Sequence, residues 1–174
     1  FEEKLTTESG STNSAIPSKQ QLNVLLDHYQ KGRLHDAEEL ALHITRRFPK
    51  HQFGWKMLGA VLGQTGRRSE AVDANQKAIA LSPQDAAAHS NLGITLQELG
   101  RLGEAEASYN QAIALKPDFA EAHSNLGNML QELGRLEPAV ASYNQAIALK
   151  SDYAEAHSNL GVTLKELGRL DDAE

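Results

Sequence analysis

The pattern of apolar and polar positions repeats along the chain with a period of 34 residues. "AAAHSNLGITLQELG" begins at Ala86, "AEAHSNLGNMLQELG" at Ala120 and "AEAHSNLGVTLKELG" at Ala154. Within each copy apolar residues recur at helical spacing, and a Gly such as Gly100 ends the periodic stretch. Each copy therefore predicts a helix, and a second helix fits before the next copy begins.

The repeat divides the sequence into tandem units. They are 18–51, 52–85, 86–119, 120–153 and the incomplete 154–174. The third and fourth units share 26 of their 34 residues, whereas the first is the most diverged. One helical hairpin cannot bury its apolar stripe alone, so the repeat predicts an all-α fold, an α-α superhelix (solenoid) of stacked hairpins. Residues 1–17 are polar and rich in Ser and Thr, which predicts a flexible N-terminal arm.

Helix boundaries follow from breaking and capping residues. In unit 86–119 we expect a first helix from about Ala86 to Leu99 and a second from about Glu104 to Lys116, before Pro117. Three pairs have the three-residue spacing of a capping box, in which a side chain on each residue bonds the backbone of the other. They are Ser18 with Gln21, Asp118 with Glu121, and Asp152 with Glu155.

The units resemble the tetratricopeptide repeat (TPR), whose pattern places Trp, Leu and Gly at positions 4, 7 and 8 and an aromatic at position 24. Further marks are a Tyr-like residue at 11, Ala at 20 and 27, and Pro at 32. Matching residues recur in register: Trp55, Leu58, Gly59, Leu62, Ala71, Ala78 and Pro83; Leu92, Gly93, Leu96, Ala105, Tyr109, Ala112 and Pro117; Leu126, Gly127, Leu130, Ala139, Tyr143 and Ala146.

This sequence also departs from the TPR pattern at several positions. Asn75 replaces the aromatic residue, and His occupies the Trp position at His89 and His123. Leu25 stands where Gly is expected, so we expect looser packing in the first unit. The resemblance covers residues 18–174 and implies a right-handed superhelix with the first helix of each unit lining a concave surface. It further implies a scaffold for protein–protein interaction.

Two stripes separate on the first helix of each unit, at about 100° per residue. In unit 120–153 the stripe of positions 3, 7, 11 and 14 predicts core. It comprises Ala122, Leu126, Leu130 and Leu133. The stripe of positions 2, 6, 9 and 13 lies roughly opposite and predicts the groove surface. It comprises Glu121, Asn125, Asn128 and Glu132.

The recurring Asn of HSNLG falls on the groove stripe, although Asn costs about half a kcal/mol relative to Ala inside a helix. Its amide offers a donor and an acceptor, which suit the main chain of an extended peptide. We therefore predict a peptide-binding ladder of Asn91, Asn125 and Asn159, with Asn23 further off. The HSNLG units are similar to those in the TPR arm of O-GlcNAc transferases, which carry such a ladder. Duplication of a tolerated surface Asn remains the alternative.

Two other features of the groove stripe each permit two interpretations. Phe53 and Met57 form an apolar pair that either binds a ligand side chain or is covered by the N-terminal arm. Acidic residues recur toward the C-terminal end, and they either form a solvated face or select a peptide containing Lys or Arg. They are Glu98, Glu121, Glu132, Glu155 and Glu166.

Composition narrows the function classes. The net charge is -6, and from residue 86 onward 13 Asp and Glu face 6 Lys and Arg, which argues against nucleic acid as a partner. There is no Cys and no apolar run long enough for a membrane span. The seven His residues lack the spacing of a metal site, and no nucleophile–base pair or phosphate loop is visible. We therefore expect no metal, cofactor, membrane partner or catalysis, and a cytoplasmic location.

The sequence thus predicts a non-catalytic scaffold that binds an extended segment of another protein in its groove. Two alternatives remain. The chain could be the substrate-recruiting arm of a larger enzyme such as a glycosyltransferase, because it stops within a second helix at Glu174. It could also self-assemble through its apolar end faces.

Overall fold

The structure is a computed structural model, and it describes residues 16–168. Over this range the chain contains nine α-helices and no strand. They are α1 (Lys19–Gln30), α2 (Leu34–Arg47), α3 (Gln52–Gln64), α4 (Arg68–Leu81), α5 (Ala86–Glu98), α6 (Leu102–Leu115), α7 (Ala120–Glu132), α8 (Leu136–Leu149) and α9 (Ala154–Glu166). Most of the predicted arm, residues 1–15, and the last six residues, 169–174, lie outside the described residues.

Each complete unit forms the predicted helical hairpin, and each hairpin packs on the next. The first helices α1, α3, α5, α7 and α9 also contact one another in series, whereas no such contact joins successive second helices in the described part of the chain. A stack whose first helices lie closer together than its second helices must curve, with the first helices on the inside. The fold is therefore an all-α superhelix whose concave groove, defined here as the surface lined by these five helices, is built from first helices.

The close approach within a hairpin depends on Gly at position 8 and an aromatic ring at position 24. A Cβ added to Gly93 would lie 2.7 Å from Tyr109 Cε1, and one added to Gly127 would lie 2.6 Å from Tyr143 Cε1. Both Tyr side chains are buried, as is the Ala at position 20 of each complete unit. The aromatic ring thus occupies the space that the absent side chain leaves.

The first hairpin is the loosest of the four, as Leu25 predicts. Leu25 is fully buried and fills the space where other units place Gly, so α1 lies further from α2. It belongs to a hydrophobic cluster shared by the first two units, which also contains Ile44 and Val61. A second cluster, centred on Tyr109 and Tyr143, extends through the later units.

The predicted capping boxes prove correct at one site of three. Ser18 caps α1, and Gln21 completes the reciprocal bond. The predictions for Asp118 and Asp152 are wrong. The N-caps of α7 and α9 are Phe119 and Tyr153, and neither helix start has a side-chain cap. The inter-unit turn is one residue longer than assumed, so position 34 rather than 33 is the N-cap.

Sequence reasoning missed a bond that fixes every described inter-unit turn. Trp55 Nε1 donates to the carbonyl oxygen of Pro49, six residues earlier, at 2.8 Å. The ring nitrogens of His89, His123 and His157 make the same contact at 2.9 to 3.1 Å, each with a carbonyl six residues earlier. Because an imidazole nitrogen and an indole nitrogen reach the equivalent carbonyl, His replaces Trp at position 4 and keeps this hydrogen bond.

Candidate functional site

The groove carries the recurring Asn side chains where the sequence predicts them, on the first helices. Asn91 and Asn125 are half-buried, and among the described residues neither side-chain amide has a hydrogen-bond partner. Asn23 on α1 is exposed. A half-buried amide without a partner keeps both its donor and its acceptor available for a ligand.

The amide of Asn159 differs from the other two. Its Nδ2 donates to Asn128 Oδ1 at 2.7 Å, and the same oxygen accepts from the hydroxyl of Tyr143 at 2.9 Å. The Oδ1 of Asn128 is therefore occupied within the protein, and it holds Asn159 in place. Only the Oδ1 of Asn159 remains without a partner in the described range.

The Glu residues at position 13 of successive units are each bound by a residue of the preceding unit. Glu98 pairs with Arg68 at 2.9 Å, so its charge is largely compensated. Glu132 accepts from Gln97 Nε2 at 2.9 Å, whereas Glu166 accepts from Gln131 Nε2 at 3.3 Å. Since Gln is neutral, Glu132 and Glu166 keep their negative charge. This charge is concentrated at the C-terminal end of the groove.

The carboxylates at this end of the groove lie close enough to Tyr143 and Tyr153 to raise the pKa of both hydroxyls. Burial, with smaller contributions from the carboxylates of Glu155, Glu132 and Glu166, raises the pKa of Tyr143 to about 12. Burial also raises the pKa of Tyr153, with smaller contributions from Glu155 and Glu121. Both Glu121 and Glu155 are exposed. The C-terminal end of the groove is thus lined by four carboxylates, and none of the four forms an ion pair within the described residues.

Two sequence expectations about apolar side chains are wrong. Met57 is only 6% exposed and belongs to the core cluster of the first two units, with Phe53 partly buried against it. The long unbranched side chain of Met bends into the core at the junction of α1 and α3, whereas an Asn at the same position stays at the surface. Conversely, Leu133 is 40% exposed, because α7 ends at Glu132 and the helical stripe ends with it.

A cavity that the sequence did not predict opens on the groove between the second and third units. Its volume is about 170 Å³. It is lined by Tyr29, Gly59, Ala60, Gly63, Gln64, Asn75, Asn91, Ile94, Thr95 and Glu98. Asn75 is fully buried; its Nδ2 donates to Thr95 Oγ1 at 3.3 Å, while its Oδ1 has no partner within residues 16–168. The signal for this cavity in the sequence is Asn75, which stands at position 24 where the TPR pattern has an aromatic residue.

A polar cluster at the start of α5 also escaped prediction. Asp85 caps this helix by accepting from the backbone N–H of Ala88, and it further accepts from Lys56 Nζ and Gln52 Nε2, each at 2.7 Å. Burial alone would raise the pKa of Asp85, but Lys56 and the other donors outweigh it and hold the pKa below its ordinary value. Lys56 is therefore engaged in joining two units.

With this geometry in hand, comparison with known proteins identifies the family. The family profile described as TPR repeat matches residues 59–100, 96–134 and 127–168, which together cover well over half of the chain. The chain belongs to the tetratricopeptide repeat family. The recurring ring-against-glycine packing is thus the internal contact of a TPR hairpin, and the groove is its inner surface. A search of curated proteins finds no significant match.

Solved TPR structures share the fold at low sequence identity. The thermophilic TPR protein TTC0263 of Thermus thermophilus is 23% identical with a TM-score of 0.77, covering 89% of this chain and 85% of that one. YrrB, a TPR protein with an unusual peptide-binding site, is 21% identical with a TM-score of 0.69, covering 94% and 82%. MamA of Desulfovibrio magneticus RS-1 is 20% identical with a TM-score of 0.76, covering 89% and 88%. These likenesses establish the superhelical fold.

Two further features of residues 16–168 concern membranes and metals. No helix there has the length and apolar character needed to cross a membrane. Nor does that part of the chain bring together three or more metal-binding side chains of His, Asp or Glu.

Proposed function

We propose that this chain is a non-catalytic scaffold whose concave groove binds an extended segment of another protein. TPR units are protein-interaction modules, and this coarse assignment follows from the family. The single observation that supports the groove as the site is the row of half-buried Asn amides on the first helices, of which Asn91 and Asn125 have no partner in the described chain.

The spacing of the units suits an extended peptide. Packed helices lie about 8–10 Å apart, which corresponds to about three residues of an extended chain at about 3.3 Å each. Successive amides would therefore meet every third residue, donating to its carbonyl oxygen and accepting from its N–H. Such contacts hold a main chain whatever its side chains, so sequence preference must come from elsewhere in the groove.

We further propose that the preference is for Lys or Arg. Four carboxylates line the C-terminal end of the groove without an ion pair among the described residues, namely Glu121, Glu132, Glu155 and Glu166. Glu98 is excluded, because Arg68 already compensates its charge. Replacing Glu132 and Glu166 by Gln should reduce the enrichment of Lys and Arg among selected peptides, and added salt should weaken wild-type binding.

The ladder is tested by selecting binders from a random peptide library and comparing variants. Asn91→Ala, Asn125→Ala and Asn159→Ala combined should weaken the selected peptides by about tenfold or more, since each lost hydrogen bond contributes about 1 kcal/mol. The matched control is Asn110→Ala with Asn144→Ala, two exposed amides on the second helices. Both variants should stay folded, because Ala favours the helix. Equal binding by wild type and the groove variant contradicts the ladder.

Two other roles stay predictions, a recruiting arm of a larger enzyme and a self-assembling scaffold. A recruiting arm of a larger enzyme would use the same groove, so it predicts the same variant effects. A scaffold that self-assembles through end faces would instead change its mass with concentration, which light scattering measures, while the groove variant would leave that mass unchanged. A cytoplasmic location likewise stays a prediction.

A further inference from the structure

The repeat itself gives a reference for the cavity between the second and third units. In the third unit the ring of Tyr109 fills the space against Gly93, and its hydroxyl donates to Gln97 at 2.9 Å. In the fourth unit Tyr143 does the same against Gly127, with bonds to Asn128 and Gln131. Both rings are nearly or fully buried.

The second unit lacks this ring and its usual hydroxyl partner. Position 24 is Asn75 in place of Tyr, and position 12 is Gly63 in place of Gln. Two large side chains are thus replaced by smaller ones at adjacent points, and the result is the cavity of about 170 Å³. A cavity of roughly 150 Å³ accepts a benzene ring in a protein interior. The space is therefore large enough for one aromatic side chain.

The floor of the cavity carries an unused acceptor. Asn75 is 0% exposed, and its Oδ1 lies against Gly59, within 2.2 Å of where a Cβ on that residue would be. That oxygen has no hydrogen-bond partner among the described residues. Its orientation is set by its own amide nitrogen, which donates to Thr95 Oγ1, while that hydroxyl donates to the carbonyl of Asn91. A buried acceptor left without a donor costs free energy. Because this oxygen faces Gly59 and is closed off from solvent, a ligand's donor reaches it when the Asn75 amide turns toward the cavity, which gives up the 3.3 Å bond to Thr95.

The mouth of the cavity opens beside the Asn ladder. Its rim includes Asn91, Ile94 and Glu98 of α5, together with Tyr29 and Gln64, which bond each other at 2.9 Å. A peptide whose main chain bonds Asn91 would therefore pass directly over the opening. One of its side chains could point inward while the chain continues along the groove.

We propose that this cavity is an anchor pocket for a Tyr side chain of the bound peptide, with its phenol hydroxyl donating to Asn75 Oδ1. The inference rests on the proposed function. A phenol matches both observations, since its ring fits the volume and its hydroxyl supplies the missing donor. Phe would leave Oδ1 unsatisfied, and Lys would bring a charge into a cavity that holds no carboxylate at its floor.

The pocket is tested with phenol as the probe, so that the result does not depend on a peptide. Phenol added to the chain should shift the amide NMR signals of Gly59, Gly63 and the Asn75 side chain, and toluene, which has no donor, should bind more weakly. Asn75→Tyr rebuilds the arrangement of the later units and fills the pocket, so it should abolish these shifts. Asn110→Tyr, on the exposed side of α6, should leave them intact. Shifts that are absent, or that persist in Asn75→Tyr, overturn the pocket.

The peptide library provides the second readout and separates the two proposals. Peptides selected by the wild type should carry Tyr at one fixed position and bind Asn75→Tyr about tenfold or more weakly, given the apolar area that a buried ring loses. Equal binding by Asn75→Tyr, or selection of another residue at that position, overturns the Tyr pocket while the Asn ladder stands. If neither form selects a peptide, the proposed groove function fails, and the phenol titration alone decides the pocket.

Discussion

The second unit differs from the two that follow it in the side chain that packs against the glycine of its hairpin. In units 86–119 and 120–153 a buried Tyr packs against Gly93 or Gly127 and closes the space between the helices. In unit 52–85 the shorter Asn75 packs against Gly59 and leaves a cavity that opens on the groove. The helices have the same lengths in all three units, so position 24 can carry a smaller side chain while the hairpin is kept.

The largest effect should come from giving the third unit the residue of the second. Tyr109→Asn removes a fully packed ring and its bond to Gln97, so the free energy of unfolding should fall by about 3 kcal/mol. The reciprocal change, Asn75→Tyr, should raise it by about 1 kcal/mol because it fills a cavity. Urea denaturation followed by far-UV circular dichroism measures both. A loss of stability in Asn75→Tyr, or an unchanged stability in Tyr109→Asn, would contradict the comparison.

A smaller difference should separate the two glycines. Gly93→Ala places a Cβ 2.7 Å from the Tyr109 ring, which neighbouring helices hold on all sides, so we expect a loss of about 2 kcal/mol. Gly59→Ala meets the Asn75 side chain instead, and that side chain has the cavity to move into. Its loss should stay below about 1 kcal/mol, since Ala also favours the helix. The same denaturation experiment checks the order, and a larger loss for Gly59→Ala would contradict it.

The smallest effects should distinguish the helix starts. Asp85→Ala removes the cap of α5 and leaves Lys56 without its partner, which should cost about 1.5 kcal/mol at neutral pH. Because the pKa of Asp85 is lowered in the folded state, this stabilisation is present above the ordinary value of 3.8 and is lost as the pH falls through the lower folded-state pKa. The gap between wild type and variant should therefore close in acid.

Asp118→Ala provides the matched control, because Asp118 makes no cap and its loss should change stability by less than about 0.5 kcal/mol. Stability measured across pH on both variants tests the contrast. If Asp118→Ala lowered the free energy of unfolding as much as Asp85→Ala does, Asp118 would have to cap α7, contrary to the structure.

The repeat register predicted the helices, the hairpin order and the looser first unit, because each follows from residues recurring at fixed positions. The burial of one side chain, the N-cap of one helix and the position of a cavity could not be predicted from the repeat register. Met57 occupies an Asn position yet is buried, since its apolar chain gains by leaving the surface that an amide prefers. The capping error at Asp118 arose because spacing does not reveal the turn length. The cavity depends on two distant small residues, Asn75 and Gly63, meeting in space.

The proposed function requires the groove, with its row of Asn amides, to receive an extended peptide. A crystal structure of the chain with a library-selected peptide tests it most directly. We expect a strand-like main chain along α3, α5, α7 and α9, with the side-chain amides of Asn91 and Asn125 bonded to its backbone. A peptide bound to the second helices, or one in the groove whose backbone contacts neither amide, would contradict the proposed function.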